Sequence, residues 1–205
     1  MAEDTMIIDE IVARARTAQA RYEAMGSQAL FDKACPAVAW VLMQPERNRA
    51  LAEMAVEETG LGNADDKVRK NHNKTLGLMR DIKDVTAFGH VEDDKENGLS
   101  IYYRPKGVIA AVVPSTNPLA TPVNNTINAL KTGNAIILAP SPKGVKPLLA
   151  LFEHIHPALA MLGLPEDLVQ MVPVPPSKPK TERLMQLADL VVVTGSQANV
   201  RAGYT

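Results

Sequence analysis

Short runs of apolar residues in the second half of the chain constrain its fold most strongly. Val108–Val113, residues 135–138 and Leu190–Val193 are apolar at every position rather than at every second position. Strands of this kind belong to parallel sheets that are covered on both faces. Segments with helical periodicity separate the runs. The pattern therefore predicts an α/β fold built on a parallel sheet.

Helix signals and turn residues predict the remaining elements of this half. Helices are expected after the first strand as far as about Lys131, around residues 145–162 and over residues 181–188, with a further strand at 168–172. Gly133 and Gly163 stand where two of the helices should end, because glycine adopts the left-handed conformation of a helix C-terminus without a steric penalty. Residues 197–204 are typical of the opening turns of another helix.

The first half of the chain is predicted to consist of consecutive amphipathic helices from about Thr5 to Ala87. One face of the first helix carries Ile8, Ile11, Val12, Ala15, Gln19 and Tyr22. Pro45 suits a first helical turn and Gly60 a helix end. A further stripe, on a later helix, contains Val68, His72, Leu76 and Met79. We therefore expect a helical N-terminal segment over residues 1–97.

A change of period marks the start of the second segment. Leu99, Ile101 and Tyr103 alternate with Ser100, Tyr102 and Arg104. This period of two predicts a half-buried strand. We place a partial dinucleotide-binding domain over residues 98–205.

Composition excludes several classes of partner. The chain has 205 residues, with 22 Lys and Arg against 23 Asp and Glu, so it lacks the basic excess of a nucleic-acid-binding protein. The start is acidic and no apolar run approaches the ~20 residues that span a bilayer, which argues against membrane attachment. A single Cys forms no internal disulfide, as is usual in the cytoplasm.

Polar residues follow the first apolar strand at the point where it ends. The turn contains Pro114, Ser115, Thr116 and Asn117, and Pro118 leads from it into a helix. Ligands of open α/β sheets bind outside the carboxyl ends of the strands, where amides, hydroxyls and a carboxamide can donate hydrogen bonds. The turn is therefore a candidate binding segment, with Pro114 and Ser115 expected to bind a cofactor. The alternative is an Asx or Ser/Thr turn that only caps the helix.

Two later turns occupy equivalent places. Ser141 and Pro142 follow the second strand, and the last strand is followed by Thr194, Gly195 and Ser196. The helix that begins at Ser196 presents free amides and a positive end, which suit a pyrophosphate. We predict that both turns bind a cofactor. The alternatives are a stiff Pro-Ser-Pro loop and a serine that caps its helix.

Other reactive residue types have simpler interpretations. Cys35 lies on a helical stripe with Phe31, Val38 and Leu42, which predicts a buried core cysteine. The four His residues show no metal-ligand spacing with Cys or carboxylates, so no metal site is predicted. The charged segment 65–70 is typical of a solvated helix face.

These motifs, in this order, resemble the aldehyde dehydrogenase superfamily, and more specifically its acylating, coenzyme A-dependent branch. The resemblance rests on the Thr-Asn-Pro turn at 116–118, Leu-Lys-Thr at 130–132, Ser-Pro at 141–142 and residues 54–72. Val-Pro-Ser-Thr-Asn-Pro and Ala-Pro-Ser-Pro-Lys-Gly are most similar to the sulfoacetaldehyde enzymes. Members that act on acetaldehyde, propionaldehyde or succinate semialdehyde share most of these features.

The resemblance implies a reaction in which an aldehyde, coenzyme A and NAD or NADP give an acyl-coenzyme A and the reduced cofactor. It implies that Thr116 or Asn117 donates a hydrogen bond to the oxyanion. Non-acylating members have a Lys and a Glu for the ribose hydroxyls, where this chain has Ala139 and Pro142.

Members carry their nucleophilic Cys in the second half of a much longer chain. The resemblance therefore implies an N-terminal portion that lacks the nucleophile, is inactive alone and forms a homo-oligomer when full length. The alternatives are a catalytically silent nucleotide- or coenzyme A-binding module and an oligomerisation fragment.

Overall fold

The computed structural model describes residues 2–204, and it describes side chains from residue 5 onward. The helices are α1 (Ala2–Met25), α2 (Gln28–Met43), α3 (Pro45–Thr59), α4 (Ala64–Ile82), α5 (Ala120–Lys131), α6 (Val145–Ala160), α7 (Lys178–Leu187) and α8 (Gln197–Ala202). The strands are β1 (Gly89–Asp94), β2 (Leu99–Tyr103), β3 (Val108–Val113), β4 (Ala135–Pro140), β5 (Val169–Met171) and β6 (Leu190–Val193).

Four strands form the predicted parallel sheet, in the order β5-β4-β3-β6. Val108 of β3 is opposite Ala135 of β4, and Ile109 is opposite Leu190 of β6. Every residue of β4 is buried, as its uninterrupted apolar sequence predicts. The α/β fold class is confirmed. The division between residues 97 and 98 stays a prediction.

Helices cover both faces of this sheet. The chain passes from β3 through α5 to β4 and through α6 to β5, which is one direction across the sheet, and then returns through α7 to β6. Because crossovers between parallel strands are right-handed, the reversed direction places α7 on the face opposite to α5 and α6. Helix α1 packs against α7 and β4, and α2 packs against α5 and α6. The predicted stripe of α1 is buried along its length, from Ile8 to Tyr22. No helix within residues 2–204 is long and apolar enough to cross a membrane.

The strand predicted at residues 99–103 is present, but its predicted half-burial is wrong. All five residues of β2 are exposed, among them Leu99, Ile101 and Tyr102. Among the described residues the strand pairs only with β1, in an antiparallel hairpin that the sequence analysis did not predict. Alternation of side chains produces a buried face only where another layer covers it, and no layer within residues 2–204 covers this hairpin.

The apolar stripe predicted on α4 is not the buried face of this helix, so that prediction is also wrong. His72 is exposed and Val68, Leu76 and Met79 are only half-buried. The fully buried residues of α4 are Lys67, Asn71 and Thr75. This face is polar because its neighbours offer polar partners: Asn48 of α3 accepts a hydrogen bond from Asn71 at 2.9 Å, and Asn124 of α5 accepts one from Thr75 at 3.3 Å.

Candidate functional site

The three predicted turns lie side by side at the carboxyl edge of the sheet. The amide of Ser141 donates to the carbonyl of Val113 at 3.1 Å, and the amide of Thr194 donates to the carbonyl of Val112 at 3.2 Å. The turn after β3 is therefore flanked by the turns after β4 and β6. The structure thus brings together all three turns that the sequence analysis selected, in the place where open α/β sheets bind ligands.

The central turn leaves the side chains of Thr116 and Asn117 available. The turn is closed by the backbone, since the amide of Asn117 donates to the carbonyl of Pro114 at 3.4 Å. Thr116 is exposed, and Pro114, Ser115 and Asn117 are half-buried. The N-terminus of α5, at Leu119, has no side-chain cap. Helix capping therefore does not explain why Thr116 and Asn117 stand in this turn.

The turn after β4 packs closely against the central turn. A Cβ atom added at Gly144 would lie 3.3 Å from the Ser141 hydroxyl and 3.4 Å from the Cβ atom of Pro118. The Ser141 hydroxyl is buried and has no hydrogen-bond partner among the described residues. Because buried polar atoms are nearly always paired, Ser141 is the residue of this turn with an unused hydrogen-bonding group. Pro142 is exposed and begins a short 3₁₀ turn.

The turn after β6 is more open. Thr194, Gly195 and Ser196 are all exposed. The Ser196 hydroxyl accepts a hydrogen bond from the amide of Asn199 at 3.3 Å, so this serine caps α8. Ser196 therefore acts as a helix cap, which was the alternative to cofactor binding. The role of Thr194 and Gly195 in cofactor binding stays a prediction.

Two lysines of α4, one buried and one in contact with the central turn, were missed by the sequence analysis, which assigned residues 65–70 to a solvated face. Lys67 is only 5% exposed, and that assignment is wrong for it. The Lys70 ammonium donates to the carbonyl of Thr116 at 3.3 Å. The available signal was the spacing of Lys67, Asn71 and Thr75, which places three polar side chains on one helical face.

Cys35 is a core residue, as predicted. It is 2% exposed, and its thiol donates to the carbonyl of Phe31 at 3.3 Å. Burial raises the pKa of this thiol to about 12, so almost none of it is thiolate at neutral pH. Since the thiolate is the reactive form, Cys35 is unsuited to act as a nucleophile.

We expect Cys35 in the native chain to react with iodoacetamide at pH 8 at least about a hundredfold more slowly than an ordinary exposed thiol. The measurement is mass spectrometry of the alkylated protein over time. The same chain unfolded in urea is the control and should react at the normal rate. Equal rates in the two states would contradict the assignment of Cys35 to the core.

Two further features of the structure bear on alternative sites. Within residues 2–204, no group of three or more His, Cys, Asp or Glu side chains is arranged to hold a metal ion. A cavity of about 860 Å³ lies between β2, α5 and β6, and its lining includes Tyr103, Asn128 and Leu190. It is distinct from the three turns, because Leu190 begins β6 whereas Thr194 follows the end of that strand.

Sequence comparison identifies relatives along nearly the whole chain. An acylating sulfoacetaldehyde dehydrogenase of Cupriavidus necator is 57% identical over 195 residues, which are 95% of this chain and 39% of the relative. One from Bilophila wadsworthia is 38% identical over 198 residues, or 97% of this chain and 42% of the relative. This chain thus spans about two fifths of the length of these relatives.

Comparison with solved structures gives the same correspondence. An acetylating aldehyde dehydrogenase from Geobacillus thermoglucosidasius matches with a TM-score of 0.91 and 31% identity, over 99% of this chain and 44% of that one. A Rhodopseudomonas palustris propionaldehyde dehydrogenase with bound propionyl-CoA matches with a TM-score of 0.84 and 32% identity, over 97% of this chain and 43% of that one. An engineered glycolyl-CoA reductase with bound NADP⁺ matches with a TM-score of 0.81 and 31% identity, over 97% of this chain and 44% of that one.

The sequence pattern of the aldehyde dehydrogenase family itself matches residues 2–202. The order of the three strand-end turns, the parallel sheet and the acylating relatives therefore lead to one assignment. The chain belongs to the aldehyde dehydrogenase family and is similar along nearly its whole length to acylating members of that family.

Proposed function

We propose that this chain forms the nucleotide-binding part of an acylating aldehyde dehydrogenase whose substrate is sulfoacetaldehyde. The reaction converts the aldehyde, coenzyme A and NAD(P)⁺ to an acyl-coenzyme A and NAD(P)H. The observation that carries the proposal is the turn after β3, in which neither Thr116 nor Asn117 is used as a helix cap. The sulfoacetaldehyde dehydrogenases of Cupriavidus necator and Bilophila wadsworthia support the choice of aldehyde.

The central turn would act on the carbonyl oxygen of the aldehyde. In the family reaction, a Cys thiolate from the portion beyond this chain adds to the carbonyl carbon, and the oxygen becomes an oxyanion. The hydroxyl of Thr116 or the carboxamide N–H of Asn117 would donate a hydrogen bond to that oxygen. The cofactor accepts the hydride, and the acyl group passes to coenzyme A. Cys35 has no part in this chemistry because it is buried and protonated.

The flanking turns would hold the nucleotide weakly. Ser141 offers a hydroxyl that has no hydrogen-bond partner, and the turn between β6 and α8 offers backbone amides. Ala139 and Pro142 stand where non-acylating members have a Lys and a Glu, so side-chain contacts to the adenosine ribose are missing. We therefore expect the dissociation constant of the chain for NAD to exceed ~1 μM, which corresponds to a binding free energy weaker than about −8 kcal/mol.

Two further expectations belong to this proposal. A homo-oligomer is supported by the exposed apolar side chains of Leu99, Ile101 and Tyr102 on β2, which a second copy could cover. A cytoplasmic location is supported by the single cysteine, which is free and buried.

A hybrid enzyme tests the proposed activity. This chain replaces the matching N-terminal portion of the Cupriavidus necator relative, to which it is 57% identical. We expect NAD(P)H formation from sulfoacetaldehyde that depends on coenzyme A, and no turnover by the chain alone. The measurement is absorbance of the reduced cofactor, with product confirmed by mass spectrometry.

The same experiment includes the outcomes that would contradict the proposal. A correctly folded hybrid that oxidises no aldehyde would favour a catalytically silent binding module. Turnover by the chain alone that is abolished in Cys35→Ala, with the fold unchanged by circular dichroism, would contradict the assignment of the chemistry to the missing portion.

A further inference from the structure

One edge of the parallel sheet is open to pairing. The strand order makes β5 and β6 the two edge strands, and among the described residues β6 pairs only with β3. All four residues of β6 are apolar, and Leu190 is 42% exposed. Edge strands usually carry a charge or a proline, because their free N–H and C=O groups otherwise pair with another strand. β6 has the composition of an interior strand, although it lies at an edge.

The other edge strand shows a closed edge in the same sheet. Val169 and Gln170 of β5 are buried. The carboxamide of Gln170 donates to the carbonyl of Ile11 in α1 at 3.0 Å. Helix α1 therefore covers β5, whereas every residue of β6 is exposed or half-buried. The two edges differ in their cover and not only in their sequence.

The cavity of about 860 Å³ lies beside the open edge. Its wall includes Leu190 and Val192 of β6, Ile109 of β3 and Asn125 of α5. The carboxamide nitrogen of Asn125 is buried and has no hydrogen-bond partner among the described residues. Buried N–H donors are nearly always paired. An occupant that suits this cavity is therefore largely apolar and brings one hydrogen-bond acceptor.

Helix α8 indicates where a chain that continues from it would pair. Met185 of α7 and Ala202 of α8 line the same clefts beside Val191 and Val193, so the two helices lie on one face of the sheet. The connection through α7 runs across that face towards β6. Because crossovers between parallel strands are right-handed, a strand that follows α8 lies one place further in the same direction. That place is the open edge of β6.

We propose that the open edge of Leu190–Val193 and the adjacent cavity, together called the β6 surface, bind the portion of an acylating enzyme that this chain does not match. An extended apolar segment of that portion pairs with β6 as a fifth parallel strand. Its neighbouring residues fill the cavity and bring an acceptor to Asn125. The Cupriavidus necator relative is long enough to supply this portion, because the match covers 39% of it. The inference rests on the family assignment and not on the proposed activity.

Hydrogen exchange tests the pairing of β6 directly. It compares this chain alone with the hybrid protein, in which the chain is joined to the unmatched portion of the Cupriavidus necator relative. The amides of β6 that point away from β3 should exchange at least about a hundredfold more slowly in the hybrid, because a new strand protects them. The measurement is mass spectrometry of peptides that cover residues 190–193. The central strands β3 and β4 are the internal control and should be protected in both proteins.

Two outcomes of the exchange experiment would overturn the proposal. Equal exchange of residues 190–193 in the two proteins would show that no strand is added at this edge. Protection that appears in this chain alone and rises with its concentration would show that a second copy covers β6. Protection in a hybrid that oxidises no aldehyde would instead support the β6 surface while the proposed function failed.

Leu190→Lys tests the open edge by its side chain. In this chain alone the melting temperature should change by no more than about 2 °C, because the side chain is already partly exposed. In the hybrid it should fall by at least about 5 °C, because the substitution buries a charge under the added segment. The matched control is Met161→Lys, at a residue that is 82% exposed and lies outside the β6 surface. Equal shifts in the chain and the hybrid would contradict the proposal.

Asn125→Leu tests the cavity independently of β6. In this chain alone it removes a donor that has no partner, so the melting temperature should stay the same or rise. In the hybrid the substitution leaves the incoming acceptor unpaired, and the melting temperature should fall by about 2 °C or more. Asn73→Leu, at an exposed residue of α4, is the matched control. A melting temperature that rises equally in both proteins would show that nothing in the hybrid pairs with Asn125.

Discussion

Replacing the proposed oxyanion donor of the central turn by Ala is expected to lower kcat of the hybrid enzyme by roughly 10²–10³. The reason is that a donor aimed at the developing oxyanion contributes chiefly in the transition state. We therefore expect a large effect from either Thr116→Ala or Asn117→Ala and a small one from the other. The affinity for NAD should barely change, because neither side chain is required to hold the nucleotide.

Stability measurements on the same two variants provide the control. The N-terminus of α5 has no side-chain cap, so neither substitution removes a capping hydrogen bond. We expect melting temperatures close to that of the unsubstituted protein. Normal kcat in both variants would show that the turn does not take part in the chemical step.

Phe31→Ala is expected to lower the free energy of unfolding of this chain by about 3–5 kcal/mol. The ring is fully buried, with its centroid 4.4 Å from that of Tyr22 and 4.8 Å from that of Phe88. It therefore joins α1, α2 and the segment before β1, and its removal leaves a cavity among them. Urea unfolding followed by circular dichroism measures the change.

Trp40→Ala is the matched control for the loss of an aromatic side chain. Trp40 lies on the same helix but is 60% exposed, so its replacement should change the free energy of unfolding by no more than about 0.5 kcal/mol. A loss below about 1 kcal/mol in Phe31→Ala would contradict the packing described for this cluster.

The position of the turn after β3 could be predicted from the sequence because its signals are local. The apolar residues of Val108–Val113 predict a buried strand, and the polar residues 114–117 that follow must then lie at the carboxyl edge of a parallel sheet. The flanking turns follow by the same reasoning from β4 and β6. Parallel pairing brings successive strand ends to one edge, so their proximity needs no knowledge of side-chain packing.

The buried face of α4 could not be predicted in the same way. Helical periodicity shows which residues of α4 share a face, but it does not show which face the neighbouring helices cover. The apolar stripe through His72 and the polar stripe through Lys67 were both consistent with the sequence. The choice depended on Asn48 and Asn124, which belong to other helices and satisfy the polar stripe in the folded chain.

The sequence by itself thus determined the order of strands and helices from β3 onward, the positions of the turns at the strand ends and the burial of Cys35, since these depend on residue periodicity and local conformational preference. Only the tertiary structure decided that β2 is exposed and that Lys67 is buried. Burial of a polar residue is a property of everything packed around it, and those neighbours are distant in sequence.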